Sequence, residues 1–370
     1  MQKNIKYLFI SVLLFVLCTA PSITHRISAS FSTRDEFVFK RGTNISHWLS
    51  QSNARGIERR NYFTANDVKY LAGIGFDHIR IPVDEEQLWK EDGQEDAEGF
   101  SLLKQALDWC KLYKLDAVVD LHILRSHHFN QTVKPLWTKP EAQERFFQCW
   151  RDLSKELRNY PVEDVAYELM NEPVADDAED WNKLIKKVLP IIRQPEPSRK
   201  IVIGSNRWQH PDTFDELFIP ENDPNIILSF HMYEPFLLTH HTASWTRIKD
   251  YNGPVNYPGI IVKEDDVKSL PDSLRTEVLK NKKYYNIDSI RKHFMKPIAI
   301  AKKYNLPLYC GEWGCLNTVP DAARFQWYRD IKQVLEENNI GWATWDYKGG
   351  FGIINRNQEE KELIKILTGK

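Results

Sequence analysis

Eight short apolar runs rich in β-branched or aromatic residues recur along this chain, at 37–40, 78–83, 117–121, 165–169, 201–204, 226–230, 306–310 and 341–345. Longer stretches lie between them, many with apolar residues at helical spacing. The clearest are 66–72, behind a Thr64-x-x-Asp67 capping box, 102–113, 141–157 entered by Pro140, 181–189, 290–303 and 321–337. Such alternation predicts parallel strands joined by crossover helices, and eight units fit a closed (β/α)8 barrel better than an open doubly wound sheet. At 370 residues the chain is long enough for one such domain. No glycine-rich phosphate motif follows the first run, which removes the usual argument for a nucleotide site.

The first residues are set apart from the barrel. Lys3 and Lys6 precede an apolar run at 7–20, too short to span a bilayer and typical of a secretory signal. We therefore expect a signal peptide at about 1–29, a catalytic barrel at 30–370, and a periplasmic or extracellular location. Lipoprotein anchoring through Cys18 is disfavoured, because bulky Leu17 stands where a small residue is expected. Fifty basic against 51 acidic side chains give a net charge of −1, so a nucleic-acid partner is not expected. Nor is a membrane span in the mature chain. Cys110, Cys149, Cys310 and Cys315 are too few for a disulfide scaffold and lack the C-x2-C spacing of zinc sites, and read as buried thiols.

One connection is unusually long. Between Met232 and Tyr285 the chain is rich in Tyr, Trp, Gly and Pro, including Trp245. Loops beyond about 12 to 15 residues are usually functional or disordered, and the aromatics favour an ordered binding loop after the sixth strand.

In a barrel the reactive groups stand at the carboxyl ends of the strands. That rule selects Arg80, His122, Asn171-Glu172-Pro173, His231 with Tyr233, Gly311-Glu312-Trp313 and Trp345. Glu172 follows the fourth run and Glu312 the seventh, so the two face each other across the mouth. A lone Glu at a strand end is more often a loop salt bridge. Two, flanked by Asn171 and Trp313, suit glycoside hydrolysis, which needs one carboxyl on each side of the scissile bond.

This ordered series resembles the active-site pattern of glycoside hydrolase family 5, which includes many cellulases, over roughly 38–345. The resemblance implies a retaining hydrolase of β-linked polysaccharide, with Glu172 as acid/base and Glu312 as nucleophile. It implies no cofactor and no metal. Arg80 and Tyr233 would keep Glu312 ionised, Asn171 would bind the sugar 2-hydroxyl, His122 and His231 would bind hydroxyls or the carboxylates, and Trp345 would lie under the ring. An endo-β-1,4-glucanase acting as a monomer on β-glucan is the leading expectation. Exo-β-1,3-glucanases, β-mannanases and xyloglucan-active enzymes share these positions and stay open, as does a non-catalytic carbohydrate-binding barrel from another class.

Further candidates line the rim. The segment from Arg41 to Trp48 follows the first run and resembles the family's Gly-x-Asn opening, which implies Asn44, His47 and Trp48 on the glycone side, although a structural role suits His47 equally. Trp245 and Trp313, with Trp208, are expected as sugar platforms or rim packing. Trp89, Trp109, Trp150 and Trp181 are expected in the core. His127-His128 and His240-His241 lack carboxylates at ligand spacing and are not expected to hold a metal.

Overall fold

The computed structural model describes residues 36–355 and 358–370; the expected signal segment lies outside them. Eight parallel strands close into a barrel: β1 (Arg41–Asn44), β2 (His78–Asp84), β3 (Asp116–Ile123), β4 (Val165–Glu168), β5 (Ile201–Gly204), β6 (Ile226–Met232), β7 (Leu308–Trp313) and β8 (Gly341–Thr344). β1 closes it by pairing with both β2 (Gly42 opposite His78) and β8 (Gly42 opposite Ala343). The expected (β/α)8 barrel is the fold.

Alternation along the strands sorts side chains between two environments. Ile79, Ile81, Val119, Leu121, Tyr167, Leu228 and Phe230 belong to the large buried cluster shared with the outer helices. The alternate positions Val118, Ala166, Val202, Ile227, Tyr309 and Ala343 pack together inside the barrel. One step further along, the same inward parity delivers Arg80, Asp120 and Glu168. The barrel interior is thus apolar at its base and ionic towards the carboxyl ends.

The first strand differs from expectation. Phe37 and Phe39 join the interior cluster, and the strand begins only at Arg41. Phe37 and Phe39 are apolar because they plug the base of the barrel. The backbone between them is tied by Val38 N–H to Asp116 Oδ2 at 2.6 Å.

Long outer helices run over Ala65–Ile74, Ala97–Tyr113, Pro140–Leu157, Ala178–Arg193, Ile287–Tyr304 and Asp321–Glu337, with a shorter one at Lys361–Thr368. At the first, Asp67 Oδ2 accepts the Thr64 N–H at 2.8 Å, as the capping box requires. The fifth unit carries only the tight turn Asn206–Gln209 and the 3-10 turn Pro211–Glu216. Lys296 of the following helix closes over that turn through Asp215 at 2.9 Å.

The long connection after β6 is ordered, with a short helix at Phe236–Thr239, an antiparallel ribbon pairing Gly259–Ile260 with Tyr284–Tyr285, and a helix at Asp272–Leu279. Tyr257 Oη donates to Asp330 Oδ2 at 2.6 Å, and Trp327 Nε1 donates to the Glu234 carbonyl at 3.0 Å. Both bonds fasten it to the Asp321–Glu337 helix. Cys110, Cys149, Cys310 and Cys315 are buried and unpaired. Among the described residues, no helix is long and apolar enough to cross a membrane.

Candidate active site

Glu312 reaches the mouth through an irregularity in its strand. Against β6, Phe230 pairs with Cys310 and His231 with Glu312, so Gly311 is an extra residue. A bulge of this kind inverts the alternation. Tyr309 points inward below it, whereas above it Glu312 turns inward and Trp313 outward. Trp313 is fully buried against Trp327, Tyr328 and Trp342, so the expectation that it meets sugar is overturned by the parity change.

Each Glu312 oxygen has a donor. Arg80 Nη1 lies 2.8 Å from Oε1, and Tyr233 Oη donates to Oε2 at 2.9 Å. Arg80 itself has no exposed surface. It also binds Glu168 through Nε and Nη2 at 2.7 and 3.1 Å, Asn44 Oδ1 at 2.8 Å, Asn171 Oδ1 at 2.9 Å and Asp120 Oδ2 at 3.0 Å. Arg80, grouped by sequence with the substrate-binding positions, has no face open to a ligand, whereas its expected role as a donor to Glu312 agrees with this contact. Its fork organises the carboxylates at the barrel mouth. Asn44 shares that correction: it is wholly buried, and its amide donates to the Gly311 and Thr344 carbonyls at 3.0 and 3.2 Å.

Glu172 sits just past β4 with φ +43°, a left-handed conformation that is unfavourable for a residue with Cβ and persists only under external restraint. Three bonds hold the segment. Glu172 N–H donates to Gln209 Oε1 at 3.0 Å, Val174 N–H to His127 Nε2 at 3.2 Å, and Ala175 N–H to Asn206 Oδ1 at 2.8 Å. The Glu172 Oε1 then lies 2.9 Å from His231 Nδ1, which is 3.7 Å from Glu312 Oε2. One oxygen of Glu172, one of Glu312 and a His231 nitrogen all lie within 4.8 Å of one another. Three such atoms could also ligate a cation, although both Glu312 oxygens and Glu172 Oε1 already have partners within the protein.

Burial raises the pKa of both carboxyls. At Glu312 the charge of Arg80 and the Tyr233 hydrogen bond oppose the rise. At Glu172, the nearby charge of Glu312 adds to it and holds this carboxyl well above the ordinary range. A proton shared by this pair therefore resides on Glu172. Burial depresses His231 far below its usual value and His122 to about 3, so both imidazoles are neutral.

His122 bonds Asp120 Oδ2 through Nδ1 at 2.7 Å and Gln51 Nε2 through Nε2 at 3.0 Å, and stacks on Trp345 with centroids 5.5 Å apart and planes 8° apart. Trp345 is 7% exposed, packed with Leu316, Phe351 and Ala243. His47 is accessible at the rim, 3.7 Å from buried Asp346. Trp48 is not: it is buried, and its Nε1 donates to the Arg59 carbonyl at 2.8 Å, so it too is corrected to core. Trp245 is 57% exposed, 6.4 Å from the Phe351 ring, which lies 6.0 Å from Tyr233. Trp208 is half exposed beside Pro173.

Glu168, Asp120 and Gln209 belong to the site although strand-end reasoning had given them no part. For the first two, the inward parity of Ala166 to Glu168 and of Val118 to Asp120 was the available signal. Gln209 had none.

The sequence matches the family described as Cellulase (glycosyl hydrolase family 5) over residues 41–350. It is 35% identical over 339 residues to Endoglucanase C of Acetivibrio thermocellus, covering 89% of this chain and 98% of that one. It is also 29% identical over 304 residues to Cellodextrinase A of Ruminococcus flavefaciens, covering 81% and 83%. Among solved structures, a hyperthermophilic endo-β-1,4-glucanase in complex with substrate aligns with a TM-score of 0.72 at 25% identity, over 90% of this chain and 97% of that one. A barrel with two carboxylates facing across its mouth, matched in sequence over nearly its full described length, makes this protein a glycoside hydrolase that belongs to glycosyl hydrolase family 5.

Proposed function

We propose that this enzyme is an endo-acting β-1,4-glucanase that cleaves with retention of anomeric configuration, Glu172 serving as acid/base and Glu312 as nucleophile. The observation that supports retention is that one oxygen of Glu172 and one of Glu312 lie within 4.8 Å of each other, close for a pair that would have to admit a water between them. Retaining enzymes hold the two carboxyls about 5 to 5.5 Å apart, whereas inverting enzymes leave about 6.5 to 9.5 Å for a water. The protonation pattern agrees: the acid keeps its proton while two donors hold the nucleophile as an anion.

In the first step Glu312 attacks the anomeric carbon and Glu172 gives its proton to the departing sugar oxygen. Glu172, now ionised, takes a proton from the water that cleaves the glycosyl ester. Asn171, whose Oδ1 is held by Arg80 and whose Nδ2 has no partner among the described residues, donates to the 2-hydroxyl. Trp345 supplies the floor under the reacting ring, His231, whose Nε2 has no partner among the described residues, meets a hydroxyl, His122 backs Trp345, His47 lines the glycone side, and Trp245 extends the platform for longer chains. The polymer is the partner, the working form is a monomer, and the N-terminal segment directs export.

The test is digestion of a soluble β-1,4-glucan with viscosity, reducing ends and anomeric proton NMR followed together. Rapid viscosity loss and an initial β-anomer are expected. Steady release of one short sugar would make the enzyme exo-acting, and an initial α-anomer would remove Glu312 as nucleophile.

A further inference from the structure

The turn after β5 carries three consecutive left-handed residues, Arg207, Trp208 and Gln209, with φ of +58°, +61° and +53°. None is glycine, so each is unfavourable by itself and the run needs an anchor. Gln209 provides one. Its side chain is wholly buried, Oε1 accepting the Glu172 N–H at 3.0 Å and Nε2 donating to Glu168 Oε1 at 3.2 Å. Room for it exists because residue 204 is glycine: a Cβ there would stand 2.2 Å from Gln209 Nε2.

The direction of that amide follows from its neighbour. Arg80 grips Glu168 with two nitrogens, and an ionised carboxylate only accepts hydrogen bonds. Glu168 therefore draws the NH2 end of Gln209, which leaves the carbonyl end for the Glu172 N–H. A flipped amide would set donor against donor at Glu172.

We propose that Gln209 is a positioning residue for the acid/base. Oriented by the Arg80-bound Glu168, it holds Glu172 in the left-handed conformation that carries its carboxyl to the mouth. A single chain of hydrogen bonds then runs from the Glu172 backbone through Gln209, Glu168 and Arg80 to Glu312. The inference rests on the carboxylate roles proposed above.

Kinetics on a cello-oligosaccharide test it. Gln209→Leu should lower kcat on the order of 100-fold with KM little changed, since misplacing a catalytic group by about 1 Å has an effect of that size. Gly204→Ala, which forces Gln209 aside, should give a comparable loss. Adding it to Gln209→Leu should cost less than about twofold more, because the two act through one side chain.

Gln209→Glu keeps the acceptor for Glu172 but sets a second carboxyl against Glu168, so the pair needs a shared proton. The groups around Glu168 are Arg80 from β2, Asp120 and His122 from β3, Glu172 beyond β4 and Tyr309 from β7, with Glu312 reached only through Arg80. All are unchanged by the substitution. The ratio of variant to native kcat should therefore be highest in acid and fall about tenfold per pH unit once the new pair ionises. A ratio independent of pH, or losses from Gly204→Ala and Gln209→Leu that simply multiply, would overturn the inference. Should Gln209→Leu fail to fold, the Gln209→Glu ratio decides. A native enzyme inactive on the oligosaccharide would overturn the functional reading and this inference with it; native activity beside a pH-blind variant would overturn the inference alone.

Discussion

Arg80 touches Glu312 at 2.8 Å and Asn171, the residue beside Glu172, at 2.9 Å, so one guanidinium adjoins both halves of the catalytic pair. It is also the cation shared by Asp120 and Glu168. Lys keeps the charge but not the planar fork. Arg80→Lys should therefore lower kcat on β-glucan by at least about 100-fold and destabilise the fold by roughly 3 kcal/mol, the lower end for breaking a buried pair. Denaturant unfolding beside steady-state kinetics checks it. Native stability in the variant would mean that the buried carboxyls are satisfied without the fork.

Glu172 is costly to the fold in its ionised form. Its pKa is raised in the folded state by burial and by Glu312, so the native protein holds that proton more tightly than the unfolded chain. The penalty is absent below the unfolded value of about 4.5 and grows as pH rises through the folded one. Glu172→Gln removes a group that resists ionisation. It should raise Tm by roughly 2 to 4 °C at neutral pH and by nothing near pH 4. Scanning calorimetry at the two pH values tests the sign, and an equal gain at both would assign it to packing instead.

The same raised carboxyl shapes the activity profile. Turnover needs Glu312 ionised and Glu172 protonated, so activity should fall in acid as Glu312 takes up a proton and fall in base as Glu172 gives one up. Tyr233→Phe removes a donor to the Glu312 anion, which raises the Glu312 pKa. The acid limb of kcat/KM should move to higher pH by about half a unit or more. An unmoved acid limb would show that Arg80 alone holds Glu312.

What the sequence disclosed divides along the physics of alternation. The barrel was legible because eight apolar runs recur with helices between them, and the carboxylates were legible because both fall where strands end. Trp313 misled because Gly311 adds a residue to β7 and reverses the parity beyond it, a bulge that shows only when the neighbouring strand is laid alongside. Phe37 misled because an apolar run reads the same whether it pairs in a sheet or plugs its base. Trp48 looked like a rim residue by position, yet its indole turns back to the Arg59 carbonyl. Gln209 was silent because its partners come from β4 and the segment after it, and no local pattern announces a contact between adjacent units.

Trp245 stands well exposed in the connection after β6, within an aromatic group that runs through Phe351 to Tyr233. If it supports sugar units away from the cleavage point, its loss should fall on long substrates. Trp245→Ala should raise KM for cellohexaose by about 5- to 20-fold, the loss of about 1 to 2 kcal/mol of stacking, and leave cellotriose nearly unchanged. Trp345→Ala should depress kcat/KM on both. Equal effects of Trp245→Ala on the two lengths would remove it from the cleft.

The two carboxyls differ most clearly in what each owes the leaving group. Glu172 protonates the departing oxygen, which matters for a sugar and hardly at all for a dinitrophenolate. Glu172→Ala should thus lose on the order of 1000-fold or more on cello-oligosaccharide, yet release a burst of dinitrophenol from the aryl cellobioside, because glycosylation proceeds and deglycosylation stalls without a base. Azide should restore turnover and yield a β-glycosyl azide, since the anion attacks the ester with no proton to lose. Glu312→Ala should be inactive on both substrates, because no glycosyl ester forms, and azide should return no β-product. Any azide product it does give should be the α-anomer, formed by direct displacement from the face Glu312 vacates. Matching leaving-group and azide responses in the two variants would show that the division of labour between Glu172 and Glu312 is wrong, even with the hydrolase itself intact.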